Sequence, residues 1–205
     1  MKTIAFVAQK GGTGKSTLAI HTAMCATLRG HAVALIELDQ QDTVKEWRKV
    51  RAKDDLEVVN ARVKDLPRLL ASAGKQGADL VILDTAGRID TIAEQVILAA
   101  DLVLVPCRPF ASDVRATPRT INQIKAVKKE RARAYVVLNA CPVQGTRHKE
   151  ARAVLAPLLP VAPIDLHYYM AFADSQNDGR SVEEYEPNGK AAQEIGSFFD
   201  WMMSV

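Results

Sequence analysis

The chain predicts an α/β fold, a doubly wound and mainly parallel sheet with helices on both faces, and three observations carry that expectation. Six short segments are β-branched and almost wholly apolar, as strands covered on both faces should be. The stretches between them are polar, with apolar residues at helical spacing. A glycine-rich turn falls where the first strand runs into the first helix, a corner suited to holding an anion.

In chain order the expected strands are TIAFVA (3–8), AVALIEL (32–38), LEVVN (56–60), DLVILD (79–84), DLVLVP (101–106) and AYVVLNA (134–140). Helical spacing appears in TVKEWRKVRAK (43–53), VKDLPRLLASAGKQ (63–76) and ATPRTINQIKAVKKERAR (116–133), the last ending in a basic cluster. Strand then helix, repeated, calls for parallel strands joined by helical crossovers. Pro and Gly fall at the joints and no repeat or low-complexity linker interrupts the pattern. The 205 residues, 48% of them hydrophobic, are therefore read as one domain, 1–205.

Composition sets loose limits on function. A formal net charge of +3 permits an anionic partner without demanding one. No apolar run reaches the roughly 18 residues of a membrane span, and the apolar stretch near Met1 is too short for a signal peptide, so a cytoplasmic protein is expected. Cys25, Cys107 and Cys141 are odd in number and set among apolar residues, which reads as core packing and not as a disulfide or zinc framework. His21, His31, His148 and His167 show no metal-ligand spacing.

The chemistry concentrates in AQKGGTGKST, residues 8–17. At a strand-to-helix corner the first helical N–H groups are unpaired and the helix dipole is positive, so phosphate is held without special side chains. Gly11, Gly12 and Gly14 let the chain curl its amides inward, Lys15 can reach the β- and γ-phosphates, and the Ser16 hydroxyl is placed for Mg²⁺. The phosphate-loop pattern ends as it should on Gly14, Lys15 and Ser16, but Gln9 stands where its first glycine belongs and an additional lysine, Lys10, stands beside it. DLVILDTAG ends an apolar strand on Asp84, a carboxylate placed to steady the Mg²⁺ water shell. ALIELDQQDT brings Glu37, Asp39 and Asp42 to the same edge; Asp39, just past its strand, is expected to face the phosphates, with Glu37 and Asp42 structural or solvated.

These residues resemble the ParA/MinD ATPases. KGGTGKST (10–17) is similar to that family's deviant Walker A box, in which the early lysine is the signature and the missing glycine is not required. LIELDQQDT resembles the second acidic motif D-x-D-P-Q, and VILDTAG its Walker B strand. LVPCRPFASDVRAT resembles a P-x-x-P-s-x-x-D stretch, VVLNA the strand whose asparagine contacts adenine, and NDGRSVEEYEPNGKAAQEIGSFF the C-terminal region of ParA proteins. The chain departs from the pattern with Glu37 for the first aspartate, Gln40 for the proline, and His167 and Tyr168 where relatives often carry arginines. Its compact length makes it look most like the small ParA proteins of plasmid partition.

The resemblance implies ATP and Mg²⁺ as cofactors, bound by Lys10, Gly11, Gly12, Thr13, Gly14, Lys15, Ser16 and Thr17, with Asn139 at the base. Ser16, Asp39 and Asp84 would stand at the metal. Lys10, Lys15 and Asp39 would be catalytic, Lys10 reaching across an ATP-dependent homodimer to the partner's phosphates. No strong general base is visible, so hydrolysis is expected to be slow and stimulated by a ParB-like adaptor. Non-specific DNA would be held, near the nucleoid, by Arg115, Arg119, Lys125, Lys128, Lys129, Arg131 and Arg133 on one expected helix and Arg147, Lys149 and Arg152 on the next. Two alternatives stay open: a positioner of a protein cargo such as a chemoreceptor cluster or microcompartment, and a MinD-like membrane ATPase. The tail IGSFFDWMMSV invites the latter but lacks a basic face, so it is expected to pack on the core without stable membrane association.

Overall fold

Each of the six apolar segments forms a strand: β1 (Lys2–Phe6), β2 (Val33–Glu37), β3 (Glu57–Asn60), β4 (Leu80–Asp84), β5 (Leu102–Cys107) and β6 (Arg133–Leu138). They belong to a computed structural model that describes residues 1–39, 41–85, 87, 91–128 and 132–205; Gln40, Lys129 and Arg131 lie outside the described residues. All pairings are parallel, in the order β3-β2-β4-β1-β5-β6. The register sets Phe6 and Glu37 level with Asp84, so three strands end together at one carboxyl edge.

The helices divide between the two faces. On one lie α1 (Lys15–Leu28), α2 (Thr43–Val50), α7 (Met170–Asn177), α8 (Val182–Tyr185) and α9 (Lys190–Ser204); on the other lie α3 (Leu66–Lys75), α4 (Thr91–Ala99), α5 (Ala111–Val127) and α6 (Arg147–Leu155). Alternate residues of one strand feed opposite layers, Ile4 and Phe6 into the first core and Ala5 and Val7 into the second. This is why the strands read as continuous apolar runs. α1 is buried from Leu18 to Ala26, having the sheet beneath it and α9 beside it. The C-terminal tail packs inward as expected, with Phe198, Phe199 and Met202 in the core and the Lys2 ammonium bonding the Met202 and Val205 carbonyls. All three cysteines are free and buried.

Helix boundaries are where the structure corrects the sequence. The helix expected from residue 116 begins at Ala111, because Phe110 is extended and the chain turns directly after it; Pro118 sits inside that helix and does not start it. The helix also stops early. Lys128 is an extended C-cap whose ammonium bonds the Ala132 carbonyl, and Arg133 opens β6, so neither continues the basic helical face. Residues 63–65 form a separate 3-10 turn before α3.

α2 is short and buries only Val44 and Trp47, so polar clamps fix its two ends. At its start the buried Glu37 carboxylate accepts N–H bonds from Val44 (2.8 Å) and Lys45 (3.1 Å). Glu37 is thus structural, as expected. Beyond its end Arg51 is only 5% exposed and spends all five N–H bonds: two on Asp55, two on Glu184 and one on the Gly179 carbonyl. Burial alone would raise the Glu184 carboxyl, but the hydrogen bonds from Arg51 and Lys53 bring it down to about 2 from an ordinary 4.5. A depressed carboxyl contributes stability above its unfolded pKa and loses it as pH falls through the folded one. Glu184→Gln should therefore cost about 2 kcal/mol in denaturant unfolding at pH 7. The difference should shrink below pH 4.5 and vanish near pH 2.

Candidate functional site

The chain leaves β1 toward one face of the sheet and leaves β4 toward the other, which opens a crevice at the carboxyl ends of these two neighbouring strands. The glycine-rich loop fills one side of it. Gly12 (φ 72°) and Gly14 (φ 93°) take left-handed conformations that admit glycine at little cost. Gly14 is also the N-cap of α1, and a Cβ there would strike the Asn139 amide. That amide donates to the Thr13 carbonyl at 2.8 Å, so Asn139 braces the loop from the end of β6. Gly87 backs the loop from the β4 side, where a Cβ would lie 3.4 Å from the Gln9 carbonyl oxygen and the Gly11 nitrogen.

Two charges are buried in the crevice. Lys15, the first residue of α1, is 6% exposed; burial lowers its pKa while Asp84 and Asp39 pull it up. Asp84 is wholly buried, and burial pushes its carboxyl up to about 7, with Ser16 and Lys15 pulling it down and Glu37 and Asp39 pushing it further up. Neither Asp84 oxygen has a full hydrogen-bond partner among the described residues, and the buried Thr13 hydroxyl oxygen has none either. Asp39 stands beyond β2, its carboxylate accepting the Gln41 N–H at 3.0 Å.

These orphaned oxygens fit a magnesium–nucleotide complex. Among the described residues no cluster of three His, Cys, Asp or Glu could hold a metal alone. Mg²⁺ commonly takes one or two protein oxygens and completes its octahedron with water and phosphate. Ser16 and Asp84 would be those oxygens, and Lys15 with the α1 N–H groups would meet the phosphates.

Beside the loop lies a cleft of about 190 Å³ lined by Gly12, Thr17, Asn139, Tyr168, Phe172 and Gln176 among others, with the mainly apolar walls and few polar groups that suit a flat base. Ala140, in the left-handed region at φ 48°, holds the turn that presents Asn139. The Gln176 amide nitrogen is buried without a partner among the described residues, a donor that a base could use. The sequence carried no sign of Gln176, because it reaches the cleft only through the packing of α7. His167 is fixed by Glu194, which accepts from its backbone N–H and pairs with its ring Nδ1, both at 2.8 Å.

Lys10 does not stand free on the rim. Its ammonium donates to the Ser112 hydroxyl at 2.8 Å and pairs with Asp113 in the first turn of α5. Asp113 is buried, which would raise its carboxyl, yet Arg108 and Lys10 hold it below the ordinary carboxylate range. Of the basic candidates, Arg115, Arg119 and Lys125 share the solvent face of α5, and Arg147 and Lys149 are exposed on α6. Arg152 is a structural tie instead, bonding the Ala162 carbonyl (2.8 Å) and Asp165 (2.6 Å).

A strand-to-helix phosphate loop, a buried carboxylate on the adjoining strand and a second lysine ahead of the loop define the ParA/MinD class of phosphate-loop ATPases. The model of the VirC1 protein family matches residues 1–184, and the chain belongs to that ParA-like family. It is similar to the "Maintenance of carboxysome distribution protein A" of Halothiobacillus neapolitanus, 25% identical over 97% of this chain and 94% of that one. It is likewise 25% identical to the virC1 protein of Rhizobium rhizogenes, over 87% of this chain and 82% of that one. Among solved structures the MinD cell division protein of Aquifex aeolicus shares the fold, with a TM-score of 0.80 at 18% identity over 100% of this chain and 98% of that one.

The raised Asp84 carboxyl yields a test on the metal-free protein. A carboxyl raised in the fold contributes stability below its unfolded pKa and loses it as pH rises through the folded one. Asp84→Asn should leave thermal stability unchanged near pH 4 and raise it at pH 8, by an amount on the order of a few kcal/mol. Thermal unfolding in EDTA at both values checks this.

Proposed function

We propose that this chain is a Mg²⁺-dependent ATPase that segregates DNA, working as an ATP-bound dimer that holds DNA non-specifically until an adaptor triggers hydrolysis. The observation that carries the reading is the pair of lysines, Lys15 buried at the head of α1 and Lys10 tied to Asp113 on the rim. One lysine serves the nucleotide bound in this chain. The other, once released from Asp113, serves the nucleotide of a second copy.

Hydrolysis in such a site proceeds by positioning and charge stabilisation. The amides of residues 11–17 and the Lys15 ammonium fix the triphosphate, and Asn139 with the cleft fixes the adenosine. Bound magnesium would supply positive charge to the phosphate oxygens. Asp39 orients the attacking water, and Lys10 of the partner subunit adds charge only in the assembled dimer. Without a strong general base, turnover stays slow, which suits a timer.

The distribution of charge supports DNA as the partner. The layer comprising residues 63–75 and α4 to α6 carries nine Lys or Arg against four Asp or Glu, whereas α1, α2 and α7 to α9 carry five against six. Arg115, Arg119, Lys125, Arg147 and Lys149 lie on the basic layer, and Arg62, Lys64 and Arg68 line an open groove at its β3 end. Among the described residues no helix is long and apolar enough to cross a membrane. The likeness to a carboxysome distribution protein favours a second reading, the same ATP cycle positioning a protein cargo through a different adaptor.

Lys15→Gln should abolish ATP binding, while Lys10→Ala should bind ATP as the wild type does but lose the ATP-dependent dimer and its hydrolysis. Nucleotide titration and sedimentation with a non-hydrolysable analogue separate the two; a Lys10→Ala protein that dimerises and turns over normally overturns the role.

The ATP-bound dimer should bind scrambled duplex DNA at 50 mM salt and lose at least about tenfold in affinity by 200 mM. Arg115→Glu with Arg119→Glu should weaken that binding without changing dimerisation. If the wild-type dimer ignores DNA at low salt and pellets with anionic liposomes, a membrane role replaces this one.

A further inference from the structure

Arg51 lies outside the crevice, yet it fastens together the two elements that flank it. Behind the nucleoside cleft, α7 contributes Phe172, Ala173 and Gln176 to the lining. Immediately after α7 the chain makes a left-handed turn at Gly179 (φ 66°), where a Cβ would stand 2.5 Å from the Arg51 backbone. Backbone therefore meets backbone, and Arg51 donates to the Gly179 carbonyl at 2.8 Å. Trp47 donates its indole N–H to the next carbonyl, Arg180, at 3.3 Å, and its ring lies under the Arg51 guanidinium at 5.3 Å. On the same segment the Val182 N–H donates to His21, whose ring meets Phe172 edge-on at 5.1 Å.

α2 carries this fixation to the other side of the crevice. It has only two buried side chains, so its position is set mainly by the Arg51 and Trp47 clamp at one end and the Glu37 cap at the other. Asp39 lies between that cap and the helix it caps, four residues before Thr43. A nucleoside filling the cleft would press on Phe172 and Gln176 of α7. Asp39, proposed above to orient the attacking water, is carried on the segment that leads into α2.

We propose that Arg51 is a positioning residue: it couples occupancy of the nucleoside cleft, through α7 and α2, to the placement of the Asp39 loop. The inference rests on the nucleotide reading above and adds to it a dependence of hydrolysis on the base. A triphosphate without a nucleoside fills the loop and leaves α7 untouched, so it binds without setting Asp39. Coupling of this kind requires an element whose equilibrium both sites bias, and α2, clamped at its ends and little buried between them, is that element.

The test compares ATP with inorganic tripolyphosphate, each with magnesium, by backbone hydrogen exchange on the whole chain. In the wild type both ligands should slow exchange at residues 14–18, but only ATP should slow it at residues 43–50, by about tenfold or more. In Arg51→Lys, which keeps the charge and loses the fork, both should still protect 14–18, and ATP should protect 43–50 no better than tripolyphosphate does. The kcat for ATP should fall about tenfold with KM within about threefold. Lys53→Ala, which removes only the exposed partner of Glu184, should behave as the wild type. If Arg51→Lys does not fold, Trp47→Phe, which deletes the bond to the Arg180 carbonyl, should show the same loss in smaller degree. ATP protection of 43–50 that survives in the folded variants, or equal protection by both ligands in the wild type, overturns the coupling. Failure of either ligand to protect 14–18 in the wild type overturns the nucleotide reading itself.

Discussion

The burial of Lys15 and Asp84 at the carboxyl edge of an apolar sheet is the constraint around which the rest of the crevice is arranged. A buried carboxylate without hydrogen bonds is costly, on the order of 1–3 kcal/mol even before its charge is counted. Asp84 evades part of that cost by holding its proton to about pH 7. Lys15 does not close the account, since the Asp84 oxygens remain without full partners among the described residues. These unsatisfied groups support the metal-bound anion proposed above as the ligand that would satisfy them. The close contact of Gly14 with Asn139 and the backing of the loop by Gly87 keep the loop in the shape that meets it.

Topology decides where this happens and how labour divides around it. β1 and β4 are neighbours whose helices leave to opposite faces, so their ends are not covered by a crossover. One helical layer lines the cleft beside the glycine-rich loop through α7 and carries α2, which follows Asp39. The other is net basic and holds Asp113, the anchor of Lys10. Lys10 thus bridges the layers. Drawing α5 away from the loop would free a cation at the rim, and in the coupling proposed above a ligand in the cleft would act on the layer that carries Asp39.

Much of this was legible in the sequence, for physical reasons that also mark the limits. Strands buried on both faces have nowhere to put a polar residue, so the central strands announced themselves; β3, at the sheet edge with Glu57 and Asn60 exposed, showed only in its short run of apolar residues. The loop was equally plain because left-handed backbone selects glycine at Gly12 and Gly14. Asp84 and Asn139 end apolar strands, and parallel pairing brings all strand ends to one edge. The start of α5 was placed at Ala116 and not Ala111, since the first turn adds no large apolar residue but Val114 to the helical pattern, and Arg133 was misread because a basic run looks the same at a helix end and at a strand start. The rest depends on contacts far apart in sequence: Lys10 with Asp113, Arg51 with Gly179 and Glu184, and Gln176 beside the loop. A local pattern carries no trace of a partner a hundred residues away.

The structure of this chain bound to magnesium and a non-hydrolysable ATP analogue tests the central claim most directly. The account predicts the triphosphate within the curl of residues 11–17 with the Lys15 ammonium upon it. It predicts the metal between Ser16 and Asp84, so that the Asp84 oxygens acquire partners, and the base in the cleft beside Asn139 and Gln176. A nucleotide seated elsewhere, or one bound in the loop with the Asp84 carboxylate still unpartnered and remote from the metal, would contradict it.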